Sequence, residues 1–153
     1  MNPFLRPARS DEIDFAFEVK RDAMGPHIVT KWAWDEDFQM GHHSKRWAER
    51  TWYIICCDSD RIGTVALDWE ATHLRFGEFY ILGKHHGQGI GSKVLRDVLA
   101  QADTRSLETR LEFLKWNPVG SLYRRYGFKV VAENEIHYLA VRPARTADSP
   151  SLF

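Results

Sequence analysis

Apolar and polar positions along the chain alternate with helical and strand periods. The strongest helical stripe follows a run of glycines and consists of Ile90, Val94, Leu95, Val98, Leu99 and Ala102. Residues at these spacings share one face of a helix. An apolar strand at residues 76–82 precedes the glycines, and residues 107–113 alternate with period two after the helix. This order predicts a parallel crossover, with the glycine turn at the carboxyl end of its first strand.

The beginning of the chain predicts a short strand and a helix. Residues 3–8 contain two prolines, which suits an edge strand better than a central one. Ser10 is a suitable capping residue, and apolar residues follow near a 3.6-residue period. We expect this helix to end at about Met24, because Gly25 and Pro26 come next.

The middle of the chain is less regular. The aromatic residues of segment 27–49 do not form one stripe, so the segment is either irregular packing around the core or the wall of an acceptor pocket. The acids at residues 35–37 could open a second helix. Residues 52–57 and 62–69 are apolar runs that flank turn residues, and they predict a hairpin.

The last third predicts a short helix and a second hairpin. The pair 117–118, an Asn and a Pro, breaks the second parallel strand, and the helix that follows is closed by Gly127. Two apolar runs after this glycine, residues 128–131 and 136–141, predict the final hairpin.

Composition narrows the class of protein. At 153 residues we expect a single domain at residues 1–142, with a flexible tail at 143–153. The 21 basic and 21 acidic side chains cancel, so neither nucleic acid nor an anionic membrane is an expected partner. Cys56 and Cys57 are neighbours in a strand and are expected to be buried thiols. Since no apolar stretch approaches the ~20 residues of a membrane helix, we expect a cytoplasmic protein.

The glycine run is the first candidate site. Gly87, Gly89 and Gly91 lie where a strand gives way to a helix, and backbone without Cβ can approach a ligand closely. The unpaired N–H groups at a helix N-terminus favour phosphate or pyrophosphate. The spacing fits neither a Walker A loop nor a dinucleotide-binding fingerprint. On spacing alone, a tight turn without a ligand remains the alternative.

Metal and serine-hydrolase chemistry are not expected. The paired histidines 42–43 and 85–86 diverge on a helix or strand, and neither an HExxH motif nor a cysteine partner accompanies them. No GxSxG elbow is present either.

One carboxylate and two tyrosines are candidates for acid–base work. Glu78 lies on the strand that leads into the glycine turn, on the same face as Tyr80 and Leu82. Apolar neighbours there could raise its pKa and make it a base. An ordinary solvated glutamate is the alternative. Tyr123 would project near the same sheet edge, and Tyr126 could do so too, but tyrosines at helical spacing are usually structural.

Two motifs, in this order and with a helix and a strand between them, resemble the GCN5-related N-acetyltransferase (GNAT) family. The run from His86 to Gly91, His-Gly-Gln-Gly-Ile-Gly, is similar to the family's Gln/Arg-x-x-Gly-x-Gly/Ala pyrophosphate motif. Asn117-Pro118, followed by Leu122-Tyr123 and then Gly127-Phe128, resembles its second conserved block. The resemblance covers residues 4–142, and segments 32–37 and 136–138 are similar to a bacterial branch.

The resemblance implies a fold and a co-substrate. The fold is α/β (α+β), with a mixed, mostly antiparallel twisted sheet, a central parallel strand pair that splays apart, and helices on both faces. The co-substrate is acetyl-CoA, with no metal. Its pantetheine pairs with backbone at residues 81–83, and Asn117 orients it, while N–H groups at residues 88–92 hold the pyrophosphate. The implied cofactor-binding set is Ile81, Leu82, Gly83, His86, Gly87, Gln88, Gly89, Ile90, Gly91, Ser92, Asn117 and Tyr123.

The resemblance also implies a mechanism, in which an amine attacks the acetyl thioester directly. Glu78 would be the base, Tyr123 the acid that protonates the leaving thiolate, and the backbone N–H of Leu82 would polarise the carbonyl. The acceptor is a primary amine on a small molecule or peptide. Its implied contacts are Trp32, Trp34, Asp35, Glu78 and His137.

Three departures from the family pattern limit how far its site residues carry over to this chain. His86 replaces the usual Gln or Arg, Gly83 replaces a frequent proline, and the interval from Asn117 to Tyr123 is one residue shorter than in many relatives. The alternative function is a non-catalytic acyl-CoA-binding or sensor module, which would keep the pyrophosphate-binding turn but would have lost turnover. The oligomeric state also stays open, with a homodimer among the options.

Overall fold

The computed structural model describes residues 2–29 and 34–146. Its strands are β1 (Pro3–Pro7), β2 (Trp52–Cys57), β3 (Asp60–Trp69), β4 (His73–Ile81), β5 (Glu108–Leu114), β6 (Lys129–Glu133) and β7 (His137–Arg142). Its helices are α1 (Ile13–Val29), α2 (Glu36–Glu49), α3 (Ile90–Thr104) and α4 (Gly120–Arg125), with short 3-10 turns at Ser10–Glu12 and Gly83–His85.

The strands form a mixed sheet in the order β1-β2-β3-β4-β5-β7-β6. Antiparallel pairs join β1 to β2, β2 to β3, β5 to β7 and β6 to β7. The pair β4 and β5 is parallel, which confirms the predicted crossover through α3. β1, the strand with prolines at both ends, lies at one edge of the sheet as predicted. A mixed, mostly antiparallel sheet is therefore confirmed.

Pairing between the two parallel strands involves the first three residues of each. His73 pairs with Glu108, Leu74 with Thr109, and Arg75 with Arg110. On its other side β5 pairs with β7 from Thr109 to Leu114. The carboxyl half of β5 is therefore paired with β7 along its whole length.

The described residues divide into two compact units. The first unit holds β1, α1, α2, β2, most of β3 and the chain from Glu78 to Gly91. The second holds the start of β4 together with most of α3, β5, α4, β6 and β7. In the first unit Ala16, Trp52 and Ala66 form a core cluster with Trp47 packed against it. In the second unit an aromatic group surrounds Tyr123, whose ring centroid lies 5.6 Å from that of Phe113.

The helix after the glycine run has the apolar face that its periodicity predicted. All six stripe residues of α3 are buried: Ile90, Val94, Leu95, Val98, Leu99 and Ala102. The predicted hairpins β2–β3 and β6–β7 are present, and Cys56 and Cys57 are buried free thiols. Within residues 2–29 and 34–146, no helix has the length and apolar character needed to cross a membrane.

The predicted end of the first helix at Met24 is wrong, because α1 continues through Gly25 and Pro26 to Val29. A proline disfavours helical backbone in the preceding residue mainly through that residue's Cβ and N–H. Gly25 has no Cβ, and nothing lies within 4 Å of the position one would take. The glycine therefore lowers the cost of keeping the proline inside the helix.

The second predicted helix is confirmed as α2. Asp35 caps it, since its Oδ1 accepts a 3.0 Å hydrogen bond from the N–H of Phe38. At the other end of the chain, the N–H of Arg145 donates to Oδ1 of Asp103 over 2.9 Å. Asp103 also holds the buried Arg142 through two hydrogen bonds of 2.8 and 3.0 Å. The beginning of the predicted tail is thus anchored to α3.

Candidate active site

Glu78 is a buried carboxylate on an unusual piece of backbone. Its φ is 47°, in the left-handed region that side-chain-bearing residues rarely adopt. The predicted face shared with Tyr80 and Leu82 assumed extended backbone at residue 78, and this φ does not meet that assumption. The hydroxyl of Thr64 on β3 donates a 3.0 Å hydrogen bond to the carbonyl oxygen of Glu78. A side chain of β3 therefore holds the strained residue.

The carboxylate of Glu78 faces a lysine from α1. Nζ of Lys20 lies 3.6 Å from Oε2 of Glu78, and the two side chains are only 7% and 9% exposed. Oε2 is buried and has no hydrogen-bond partner among the described residues. A solvated surface glutamate is therefore excluded. Two buried opposite charges compensate each other, while one oxygen keeps unused hydrogen-bonding capacity.

Two histidines of α2 lie within electrostatic reach of this pair. Burial is the main cause that lowers the pKa of His43, and partial desolvation lowers the pKa of the more exposed His42. Nε2 of His43 donates to the carbonyl of Ile13 over 2.9 Å, which leaves Nδ1 unprotonated and without a partner among the described residues. Both histidines are therefore expected to be neutral near pH 7.

Several backbone groups at the end of β4 already have partners. The N–H of Leu82 donates to the carbonyl of Ile62 over 2.9 Å. The N–H of Gly83 donates to a carboxylate oxygen of Asp22 over 2.6 Å. This donor is used within the sheet, and the predicted role of the Leu82 N–H at the thioester carbonyl stays a prediction.

His86, at the first position of the pyrophosphate motif, bonds back to the strand. Its Nε2 donates to the carbonyl oxygen of Ile81 over 2.6 Å. A side-chain bond thus closes the turn that begins at Gly83 and continues into the glycines.

The glycine turn has the backbone geometry that the sequence predicted. Gly87 and Gly89 both have φ of +76°, and no atom lies within 4 Å of where their Cβ atoms would stand. Gln88 between them is exposed, whereas the side chain of Ile90 is buried and leaves only its backbone for a ligand. α3 begins at Ile90, so its first N–H groups lack intrahelical partners. The turn is therefore exposed backbone that leads directly into a helix N-terminus.

In the second unit, Tyr123 is buried in α4. Its ring packs edge-on to Phe76 at 6.4 Å and to Phe128 at 5.6 Å, measured between centroids. Burial raises the pKa of its hydroxyl far above the ordinary value. The hydroxyl therefore carries its proton at neutral pH.

Asn117 has a structural role at the start of α4. Its Oδ1 accepts a 3.0 Å hydrogen bond from the N–H of Val119. Gly120 begins the helix against Phe113, since a Cβ there would lie 2.8 Å from Cε2 of that ring. The predicted contact of Asn117 with pantetheine remains a prediction. Near the first turn of α3, Oγ of Ser92 receives a 3.4 Å hydrogen bond from Nη2 of Arg125.

The predicted acceptor residues divide between the two units. Trp32 lies outside the described residues. Trp34 donates from Nε1 to Glu36 over 2.7 Å, and Asp35 serves as the cap of α2. In the second unit, the backbone N–H of His137 donates to Oδ1 of Asn134 over 2.7 Å. The structure therefore gives Asp35 a capping role, and the acceptor contacts remain predictions.

Sequence reasoning missed three residues that surround Glu78 and the turn. Lys20 pairs with the carboxylate, Thr64 holds its backbone, and Asp22 caps Gly83. The sequence pattern could have indicated Lys20, because this residue follows Phe17 by three positions on the apolar side of α1. It could not have indicated Thr64 and Asp22, because their partners lie far away along the chain. No group of three or more His, Cys, Asp or Glu side chains that could hold a metal occurs in the described ranges.

Comparisons with known proteins place this arrangement in a family. A family model described as an acetyltransferase (GNAT) domain matches residues 48–130, more than half of the chain. No curated protein matches the sequence at the required significance.

Similar solved structures share the fold. PaiA N-acetyltransferase from Thermoplasma acidophilum, solved with coenzyme A, is 18% identical with a TM-score of 0.72, over 94% of this chain and 99% of that one. An acetyltransferase from Thermus thermophilus is 15% identical with a TM-score of 0.74, over 94% and 97%. A GNAT acetyltransferase from Elizabethkingia anophelis, with acetyl-CoA bound, is 16% identical with a TM-score of 0.66, over 93% and 98%. The match of the family model, together with this shared fold, shows that the chain belongs to the GNAT family of acetyltransferases.

Proposed function

We propose that the protein transfers an acetyl group from acetyl-CoA to a primary amine. The observation that carries the proposal is the glycine turn, where left-handed Gly87 and Gly89 lead into the N-terminus of α3. Open backbone followed by unpaired helix N–H groups suits a pyrophosphate, which is the most highly charged internal group of CoA. Two of the similar structures contain coenzyme A or acetyl-CoA, which supports this choice of ligand.

CoA binding is proposed to depend mainly on the turn and the first turn of α3. Pairing of pantetheine with residues 81–83 would compete with three bonds that the chain already makes, at Ile81, Leu82 and Gly83. The backbone at residues 88–92 has no such competition from the helix itself. Asn117 stays in the proposal as a donor through its amide nitrogen.

The proposed reaction begins with loss of a proton from the acceptor ammonium to Glu78, directly or through water. The free amine attacks the acetyl carbon, and the carbon–sulfur bond then breaks. Tyr123 gives its proton to the leaving thiolate and regains one from the amide nitrogen as the intermediate collapses. Ammonium and acetyl-CoA thus yield the amide, free CoA thiol and one proton, which Glu78 releases to solvent.

The local surroundings of each group, taken separately, bear on its proposed role. The carboxylate of Glu78 is largely buried and its Oε2 faces Lys20, so the other oxygen is the one proposed to take the proton. The phenol of Tyr123 carries its proton at neutral pH, as a general acid must, although the burial that raises its pKa also makes it a weaker acid. The acceptor is proposed to be a cationic amine on a small molecule or peptide, attracted by the carboxylate.

The test is release of free CoA thiol from acetyl-CoA over a panel of polyamines, amino acids, aminoglycosides and lysine peptides. Turnover of one class, with losses of about 100-fold or more in Glu78→Gln and Tyr123→Phe, is the expected result. Tyr126→Phe is the matched control, since Tyr126 follows α4 directly and is buried too. CoA binding by calorimetry without turnover of any amine would favour a sensor module instead.

A further inference from the structure

We propose that Lys20 is a positioning residue for Glu78: its ammonium supplies the counter-charge of the buried carboxylate and fixes one of its two oxygens. The inference rests on the proposed function, because it assigns Glu78 the role of base. It concerns a residue of α1 that neither motif of the chain contains.

Burial of both partners is the first argument. An exposed ion pair contributes little, but Lys20 and Glu78 are 7% and 9% exposed, with 3.6 Å between Nζ and Oε2. Lys20 also stands on a helix face whose neighbours Ala16 and Phe17 are core residues. Placing a lysine there costs free energy unless an opposite charge receives it. Glu78 supplies that opposite charge.

Among the described residues, the titratable groups that act on this pair provide no other cation in contact with the carboxylate. His42 and His43 on α2 act electrostatically on the pair, and desolvation lowers the pKa of both. Lys45 and Arg46 act on His42, and Asp14 acts on His43, in each case as a smaller influence than burial. The residue contributed by β3, Thr64, is neutral. Near pH 7 the ammonium of Lys20 is therefore the cation in contact with the carboxylate.

Orientation is the second argument. Thr64 holds the backbone of Glu78 in its left-handed conformation, and Lys20 holds Oε2. Because Oε2 is buried, the 9% exposure of this side chain belongs to its other atoms. When the backbone of Glu78 and its Oε2 are both held, the other carboxylate oxygen keeps one orientation towards an amine or a water. Lys20 itself gains and loses no proton in the reaction.

The experiment compares Lys20→Met with Lys20→Arg across pH. Loss of a neighbouring opposite charge disfavours the ionised form of a carboxyl, so the acid limb of log kcat should move up by about one pH unit or more in Lys20→Met. The rate below the limb then falls about tenfold, while the alkaline plateau stays within about threefold of wild type. Lys20→Arg keeps the charge and should keep the position of the acid limb. A loss in Lys20→Met that is equal at every pH would overturn the inference.

The Glu78→Gln background separates positioning from general damage. If Lys20 acts through Glu78, adding Lys20→Met to Glu78→Gln should change the residual rate by less than about twofold. An additional loss as large as in the wild-type background would contradict the proposal.

Unfolding in urea distinguishes this inference from the proposed function. If the wild-type protein turns over no amine, that result counts against the proposed function. The unfolding of wild type, Lys20→Met, Glu78→Gln and the double variant still reports on the ion pair. Each single variant leaves a buried charge unpaired, so the double variant should be more stable than the sum of the single losses predicts. Additive losses would overturn the pair. If Lys20→Met alone does not fold, a folded Lys20→Met/Glu78→Gln variant supports the pair, and an unfolded one counts against it.

Discussion

The hydroxyl of Thr64 donates a 3.0 Å hydrogen bond to the carbonyl oxygen of Glu78. This bond joins a fully buried threonine of β3 to the residue of β4 with φ of 47°. Left-handed backbone in a non-glycine residue persists when its surroundings determine it. Thr64 is thus part of what keeps the proposed base in place.

Replacement of Thr64 by valine keeps the shape of the side chain and removes the donor. We expect Thr64→Val to lower the free energy of unfolding by about 1–2 kcal/mol and to reduce kcat. Thr109 is the matched control, since it is also fully buried and its Oγ1 has no partner among the described residues. Thr109→Val should be neutral or slightly stabilising. Equal destabilisation of both variants in urea would contradict the role assigned to Thr64.

The turn can be tested through the backbone of Gly89. Alanine at φ of +76° is strained although the space around its Cβ is open, so Gly89→Ala should cost about 1 kcal/mol of stability. It should also weaken CoA binding, because the peptide groups would turn away from their present directions. Gly41 in α2 has the same open surroundings without a positive φ. There the change to alanine should stabilise by about 0.5–1 kcal/mol and leave CoA binding unaltered, as measured by calorimetry.

His86 can be tested by its replacements. Gln can also donate to the carbonyl of Ile81, so His86→Gln should bind CoA within about threefold of wild type. His86→Ala loses the donor and should bind about three- to tenfold more weakly. Equal affinities of His86→Ala and wild type would show that the bond to Ile81 does not stabilise the bound turn.

Acid stability should depend on Glu12. Hydrogen bonds from the guanidinium of Arg6, of 2.7 Å each, lower the pKa of Glu12 from 4.5 to about 2. A lowered folded-state pKa stabilises the fold fully above pH ~4.5, and this contribution, on the order of 2 kcal/mol, is lost as pH falls towards 2. Glu12→Gln should therefore unfold with a flatter pH dependence in that window. A wild-type slope in Glu12→Gln would show that other groups dominate.

Local patterns predicted most of the fold correctly. The α3 stripe from Ile90 to Ala102 and the two hairpins are properties of neighbouring residues, which a sequence exposes directly. The helix end at Met24 was wrong because Gly25 removes the Cβ that makes proline unfavourable there.

The residues of the candidate site also differ in whether local sequence patterns could predict them. Gly87, Gly89 and Tyr123 were predicted as site residues because the motif spacings are local. Lys20 and Thr64 were not, because their contacts with Glu78 exist only after the sheet and α1 have assembled. The left-handed φ of Glu78 was also unpredictable, since nothing in the local sequence requires it.

The bond between the carboxylate of Asp22 and the N–H of Gly83 connects residues 61 positions apart and is 2.6 Å long. Opening of the turn must therefore break a contact with α1, and unravelling of α1 around Asp22 must release the turn. Amide hydrogen exchange should record this connection. A ligand that occupies the glycine turn should slow exchange in the middle of α1, although that helix contributes no residue to the pyrophosphate motif.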